Sequence, residues 1–544
     1  MSRSFTTPPR AASPLPWPLL SLILVLALAS NRPAQAVGSG SANGPVIMPY
    51  EMAFTAECTE GIDAVVFDRL QQLGIERARR SSDAVFVRRA YLDVIGTLPT
   101  AAEARQFLQD RRPEKRSLLI DQLLARDEFT DYWAMKWSDV LRVKAEFPVN
   151  LWPNAAQAYY RWIHTAVRDN LPYDRFAREL LTSNGSNFRV GPVNFYRALP
   201  NREPQVIART VALTLMGARA EHWPEQQLAT MALCFNTIGY KATGEWKEEI
   251  VYFDPNKFPA SGLAVATLPD KTVVNLARDR DPREVFADWL IDPRNPWFTR
   301  AIVNRVWSWL LGRGIVQEPD DIRPDNPPSN PELLTLLEHE LVAAHYDLKQ
   351  LMRLILNSQT YQLSSIARSD RPEAAANFAS YPLRRLDAEV LIDALNQITG
   401  TTEKYMSAIP EPFTYIPDDQ RAIALPDGSI TSTFLEMFGR PQRDTGLEAE
   451  RTPRMSASQR LHLLNSTQVQ RKLEQGPKLQ SLLRAKGSPK EFVDTLYFSI
   501  LSRPPTDEER LAIGAHGVAT RDGRTTALDL AWALINSAEF LYRH

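Results

Sequence analysis

"DAVFVRRAYLDVIGTLPTAAEARQFL", residues 83–108, decides the fold class. Apolar residues recur at helical spacing up to Ile95, and Gly96 then breaks the run. Thr100 and Glu103 follow at the spacing of a capping box, just ahead of a second apolar-periodic run. The stretch therefore predicts a helix, a tight turn and a capped helix. The same grammar continues along the chain. Pro113, Pro172, Pro204, Pro224, Pro282, Pro296 and Pro331 each head an apolar-periodic run, as suits a residue whose ring presets the first helical turn. Gly217 and Gly239 stand where helix C-caps belong. Strand signals are few: "EEIVYF" (248–253) and "GLAVATL" (262–268) predict a small hairpin-like insert, and 405–433 reads as mixed and loop-rich. The expected fold is mainly α, a multi-helix two-domain protein with small β elements near the domain junction and in the C-terminal half.

The opening stretch has an echo. "YLDVIGTLPTAAEARQFL" starts at Tyr91 and "YFSILSRPPTDEERLAI" at Tyr497, and both place Pro-Thr at the same offset with a glutamate three residues beyond. Each unit later ends on Glu-Phe, at "LLARDEF" (123–129) and "LINSAEF" (534–540). Two copies do not make a solenoid. They predict that the two ends of the mature chain are built alike and pack together.

A chain of 544 residues exceeds one ordinary core, which sets the expectation of more than one domain. Forty prolines against 23 glycines point to rigid connections rather than a flexible chain. "LLSLILVLALA" (19–29) is an apolar run too short to span a bilayer, and "AQA" (34–36) offers a small-residue cleavage site. Residues 1–36 are expected to be a signal peptide and 37–54 a linker, with an exported, periplasmic or extracellular product and no membrane span in the mature chain. Cleavage removes three arginines and leaves 60 bases against 64 acids. Such a balance offers no basic face for nucleic acid. The two cysteines, Cys58 and Cys234, are a candidate disulfide in an oxidising compartment. Domain boundaries are expected at 55–275 and 276–544.

Candidate chemistry is sparse. "HELVAAHY" (339–346) spaces its histidines six apart, on nearly opposite helix faces, so it is no zinc helix and no metal is expected. His222, between Glu221 and Trp223-Pro224, is either a structural histidine or an acid–base group. The densest polar constellation lies in the second half. "NRVWSWLLGRG" supplies Arg305 and Trp307, "EPDDIRPDNPPSNPE" supplies Asp320, Asp321, Arg323 and Asn326, and "FGRPQRDTGLEAER" supplies Arg440, Arg443, Glu448, Glu450 and Arg451. If these loops converge, Asp320, Asp321, Glu448, Glu450 and His222 are the catalytic candidates and the arginines, Trp307 and Asn326 the ligand-binding ones. The bland alternative is an Arg–carboxylate clamp on irregular loops. "DYWAMKWSDV" and "YYRWIHTAV" read first as core aromatics, and alternatively as a sugar-stacking platform.

Several segments together resemble the paired domains of unknown function called PSCyt and PSD, associated with planctomycete cytochromes. For the first domain these are "FVRRAYLDVIGTLPT", "WAMKWSDVLRV", "YYRWIHTAVRDNLPYDRFARELL" and "EWKEEIVYFDP". For the second they are "DWLIDPRNPWFTRAIVNRVWSWLLGRGIV", "DDIRPDNPPSNPELL", "FGRPQRDTGLEAER", "LHLLNSTQVQRKL" and "LINSAEFLYRH". The resemblance covers roughly residues 55–544 and implies architecture and an exported setting, with no settled activity. Relatives carry Cys-x-x-Cys-His after the helix ending at Gly217 and Cys-Glu-Cys-Glu-Arg after the arginine motif. Here the first region reads "ARAEHWPEQQ", and Leu447 and Ala449 take the cysteine places of the second. Covalent haem attachment needs two thiols beside a histidine, so no haem or other cofactor is expected. The resulting expectation is an exported non-haem accessory or binding protein, with a polysaccharide or an envelope protein as partner. A glycan-acting enzyme using the second-domain carboxylates is the alternative, and an electron-transfer protein the remaining one.

Overall fold

The computed structural model describes residues 46–53, 60–452, 454–485 and 488–544. The expected leader, much of the linker and Cys58 lie outside the described residues. The fold is mainly α, and the described residues hold short strands in four small sheets. No helix among the described residues is long and apolar enough to cross a membrane.

The deciding stretch folds as its grammar requires. Ser82 caps the helix Asp83–Val94, and Gly96 turns the chain at φ 60°. Any Cβ on Gly96 would run into the Tyr132 ring. Thr100 and Glu103 then form a complete capping box on the helix Ala101–Gln109. The echo folds the same way: the helix Pro489–Leu501, Ser502 at φ 61°, and a capping box of Thr506 and Glu509 on Asp507–Thr520. The likeness reaches the side chains. Arg126 bridges Glu103 and Glu128 while its guanidinium lies 5.6 Å from the Tyr91 ring centroid. Arg503 bridges Glu509 and Glu539 and lies 5.6 Å from Tyr497. The two units also meet, through Arg105 Nη2 donating to Thr495 at 2.8 Å and its guanidinium packing 4.7 Å from Phe498.

One connected apolar core runs from Ile62 to Leu541 through both halves of the chain. Trp133, Trp137 and Trp309 pack edge to face or tilted at its centre, with centroids 5.5 and 5.6 Å apart. The aromatic cluster in "DYWAMKWSDV" is thus core, as is Tyr159 from "YYRWIHTAV".

The β elements differ from the expected insert. Glu249–Phe253 pairs with Ile238–Ala242, not with 262–268, and Leu263–Thr267 pairs with Val273–Ala277. Two hairpins therefore stand in sequence. Gly239 is no helix cap but a strand residue, where a Cβ would approach Tyr252 to 2.5 Å. The preceding helix ends at Ala232 because a single 3-10 turn, Leu233–Phe235, carries Phe235 into the core.

Candidate functional site

The polar constellation of the second half converges, but inward. Arg451 donates to Asp139 at 2.7 Å and to Glu389 at 2.8 and 3.1 Å, and lies 3.4 Å from Asp387. Arg443 donates to Asp139 at 2.9 Å, and Arg440 holds the carbonyls of Ile430 and Asp427 and stands 3.6 Å from Glu389. Asp387 also receives Lys136 at 3.1 Å and Arg543 at 3.0 Å, and Arg543 continues to Asp93. Asp93 in turn accepts from Tyr361, Tyr381 and Arg384. The result is a nearly dry ribbon of alternating charge. Asp93, Lys136 and Asp139 come from the first half of the chain, and the rest from the second. Burial pushes the Asp387 carboxyl up, but Lys136, Arg451 and Arg543 overcome it and hold the group well below its usual range. Asp139 is held down in the same way by Arg451 and Arg443.

The remaining sequence candidates are tied into loops. Arg305 donates to the Leu213 and Thr214 carbonyls at the end of the helix Pro204–Met216 and to Asp320 at 3.0 Å. Asp320 accepts the Glu448 backbone N–H at 2.7 Å, and Glu448 accepts Trp309 Nε1 at 3.1 Å. Burial raises the Glu448 carboxyl above its usual value. Asp321 pairs with Arg323, whose loop is closed by Asn326 donating to the Gln317 and Asp321 carbonyls. Glu450 accepts the backbone and hydroxyl of Thr445. Trp307 is fully buried, edge to face on Phe378. His222 is exposed on the 3-10 turn Ala220–His222 rather than buried. Asp320 and Glu448 are thus neighbours, while Asp321, Glu450 and His222 have separate surroundings, and Asp320 is buried. The four acids do not line one open cleft. Cys234 is a buried thiol, pushed up to about 12 by that burial.

The segments "ARAEH" (218–222) and "LEAER" (447–451) lean on one loop. Ile322 N–H donates to the Gly217 carbonyl, Arg219 pairs with Glu318, and Glu448 N–H donates to Asp320. Loop 318–322 therefore joins "ARAEH" to "LEAER", although neither presents a thiol.

An open aromatic cleft lies elsewhere, at the tip of the first hairpin. The cleft measures about 720 Å3, and Phe147, Asn150, Arg197, Arg202, Trp246 and Lys247 are among its walls. Trp246 is 71% exposed and Phe147 85% exposed. The tip is rigid. Glu248 accepts Ser186 and Thr243 hydroxyls at 2.5 and 2.6 Å, and Asn187 donates to the Lys247 carbonyl at 3.2 Å. Lys247 has φ 65° and its ammonium lies 5.4 Å from Trp246 and 5.9 Å from Trp152. Trp152 itself has φ 74° and ψ 146°, bordering a region that glycine alone adopts freely, at a cost of about 1–3 kcal/mol. The conformation sets its ring 5.2 Å from Phe413, a residue of the second half. Arg197 and Arg202 both pair with Glu249, and with Lys247, Glu245 and Glu248 the cleft is lined by three bases and three acids. In the sequence Trp246 and Lys247 stand out only as part of the segment "EWKEEIVYFDP". The local signal for the cleft is an indole and an ammonium in a Gly-containing turn between alternating strands, "ATGEWKEE".

These features define a helical protein with a connected core crossed by a buried ionic seam, and with an aromatic cleft on its surface. Residues 61–236 match the PSCyt2 family, described as protein of unknown function (DUF1549), and residues 282–516 match PSD1, described as protein of unknown function (DUF1553). The chain therefore carries a PSCyt2 domain and a PSD1 domain in tandem. No curated protein and no solved structure matches it. The stretch between the two matched regions, 237–281, contains both hairpins, including the tip that carries Trp246.

Proposed function

We propose that the protein is an exported binding protein that holds a glycan in the cleft between Phe147 and Trp246. The observation that carries the reading is two exposed aromatics, Phe147 and Trp246, on the walls of one cleft whose acids and bases balance. Sugar rings present apolar C–H faces that stack on aromatic planes, while their hydroxyls need nearby polar groups, here Asn150, Arg202 and Lys247. Contiguous exposed aromatics bordered by polar residues mark interaction sites rather than solvated surface. The strained Trp152 supports this, because backbone strain gathers where a side chain must be aimed. Export rests on the apolar run 19–29 and the small residues at 34–36. A glycosidase reading through Asp320, Asp321, Glu448 and Glu450 has less support, since these acids serve Arg305, Arg323, Trp309 and Thr445.

The test is a panel of soluble β-glucan, xylan, mannan and polyuronate followed by tryptophan fluorescence and calorimetry. At least one is expected to bind, and Trp246→Ala to weaken it by about tenfold or more at an unchanged melting temperature. Binding that survives both Trp246→Ala and Phe147→Ala moves the glycan site elsewhere. A panel with no binder removes the reading.

A further inference from the structure

The described residues expose four aromatic side chains, Phe147, Trp246, Phe413 and Tyr415. Phe147 and Trp246 belong to the cleft, while Phe413 and Tyr415 stand outside it on the loop 406–417 of the second half. Trp152 joins the two pairs. The Lys247 ammonium lies 5.4 Å from the Trp246 ring and 5.9 Å from that of Trp152, and the Trp152 ring lies 5.2 Å from Phe413. Beside Phe147, Glu146 accepts the Ala408 N–H at 3.1 Å, which ties the loop to the wall of the cleft. The four rings therefore stand on adjoining segments and make one surface.

The loop does not need its aromatics to stay in place. Ile409 and Ile416 pack against the core, and Met406 exchanges backbone hydrogen bonds with Thr431. Thr414 is buried between Phe413 and Tyr415, which are 46% and 69% exposed, so both rings face outward. Charge selects among the polymers such a surface could take. The segments 146–152 and 406–417 each carry one charged side chain, Glu146 and Glu411. Added to Glu245, Glu248 and Glu249, they set five acids against Arg197, Arg202 and Lys247. A polyuronate meets net repulsion here, whereas an uncharged sugar chain needs only stacking faces and hydrogen-bond partners.

We infer that this surface holds a stretch of neutral linear polysaccharide, laid from Trp246 across Trp152 to Phe413 and Tyr415. The extended path rests on the glycan reading of the cleft and names its substrate class. A row of rings that runs on past one cleft favours a repeating chain and adds nothing for a single sugar. Both halves of the protein then contribute binding residues.

Calorimetry on the full chain with cello-, xylo- and manno-oligosaccharides, from disaccharide to octasaccharide, tests it. In the series that binds, the octasaccharide is expected to bind about tenfold or more tightly than the trisaccharide, because it engages further rings. Polygalacturonate is expected to bind at least about tenfold more weakly than the neutral polymer of that series. Tyr415→Ala, at a mostly exposed side chain, is expected to reduce the gain with length by about threefold at an unchanged melting temperature, and Phe413→Ala with it to remove the gain. Trp246→Ala is expected to weaken short and long fragments alike. An octasaccharide that binds no tighter than the trisaccharide, while Trp246→Ala still weakens both, overturns the extended path and leaves the cleft reading standing. So does a length effect that survives the double substitution, since the chain would then run another way. Tighter binding of polygalacturonate than of any neutral polymer overturns the substrate class. Absence of any binder removes the cleft reading and the extended path together.

Discussion

Asp393 shows how burial and partners compete at one carboxyl. It is almost fully buried on the helix Ala388–Thr399 and accepts the backbone N–H groups of Ala422 and Ile423 at 2.8 and 3.2 Å. Arg421 stands 3.6 Å away. Burial outweighs these three helpers and lifts the group to about 6. Asp387 has the opposite balance, because three cations reach it rather than one at a distance. The two acids therefore shape stability in opposite directions. A depressed Asp387 stabilises the fold above the unfolded-state value, and that contribution is lost as pH falls through its folded value. A raised Asp393 prefers its proton in the folded state. Its penalty is present above pH 6 and disappears as pH falls towards the unfolded value near 4. The gap corresponds to about 3 kcal/mol at most. Asp393→Asn is expected to flatten the rise in unfolding free energy between pH 7 and pH 5 relative to the unmodified chain. Urea melts across that window measure it, and parallel curves for the two proteins would refute the assignment.

The repeated helix–turn–helix element makes a sharper test, because its two copies solve one backbone problem with different residues. The turn needs a left-handed residue five positions after the tyrosine. Gly96 takes it without strain, whereas Ser502 takes it with a Cβ and with a buried hydroxyl that has no hydrogen-bond partner. Ser502→Gly is expected to stabilise by about 0.5–1 kcal/mol. Gly96→Ser, which also collides with Tyr132, is expected to cost about 2–4 kcal/mol. Equal effects in thermal melts would mean that the two turns are not equivalent. The elements were readable because their signals are local: capping boxes, proline starts and the Gly217 C-cap all act within a few residues. The hairpins were harder. Ile238–Ala242 reads as the tail of a helix, and Val273–Ala277 sits in a stretch of turn residues, so neither strand declares itself without its partner. The seam was half-visible for the same reason. Its arginines stand together in "FGRPQRDTGLEAER", but Lys136 meets Asp387 across 251 positions, and nothing local in Asp139 announces Arg443 or Arg451.

At the scale of the molecule, the seam decides whether two family modules are two folding units. Charges buried at a contact are favourable only while their partners remain, and removing one side leaves an uncompensated ion at a cost of about 3–5 kcal/mol. In a first half alone, Asp93 would lose Arg384 and Arg543, Lys136 would lose Asp387, and Asp139 would lose Arg443 and Arg451. Backbone is shared as well. Arg88 donates to the Ile500 and Phe540 carbonyls at 2.6 and 2.8 Å, and Asp63 accepts the Gln359 and Thr360 N–H groups. Among the described residues one connected core supplies apolar burial to both halves. Two or three such losses equal the whole stability of an ordinary domain, about 5–15 kcal/mol. Residues 46–281 and 282–544 produced separately are therefore expected to be insoluble or unfolded, and to form a folded complex only when produced together. The intact chain is expected to melt in one calorimetric transition whose midpoint changes little between low and high salt, because buried pairs are poorly screened. Two resolved transitions, or a cooperatively folding isolated half, would show that the seam joins finished domains instead of completing them.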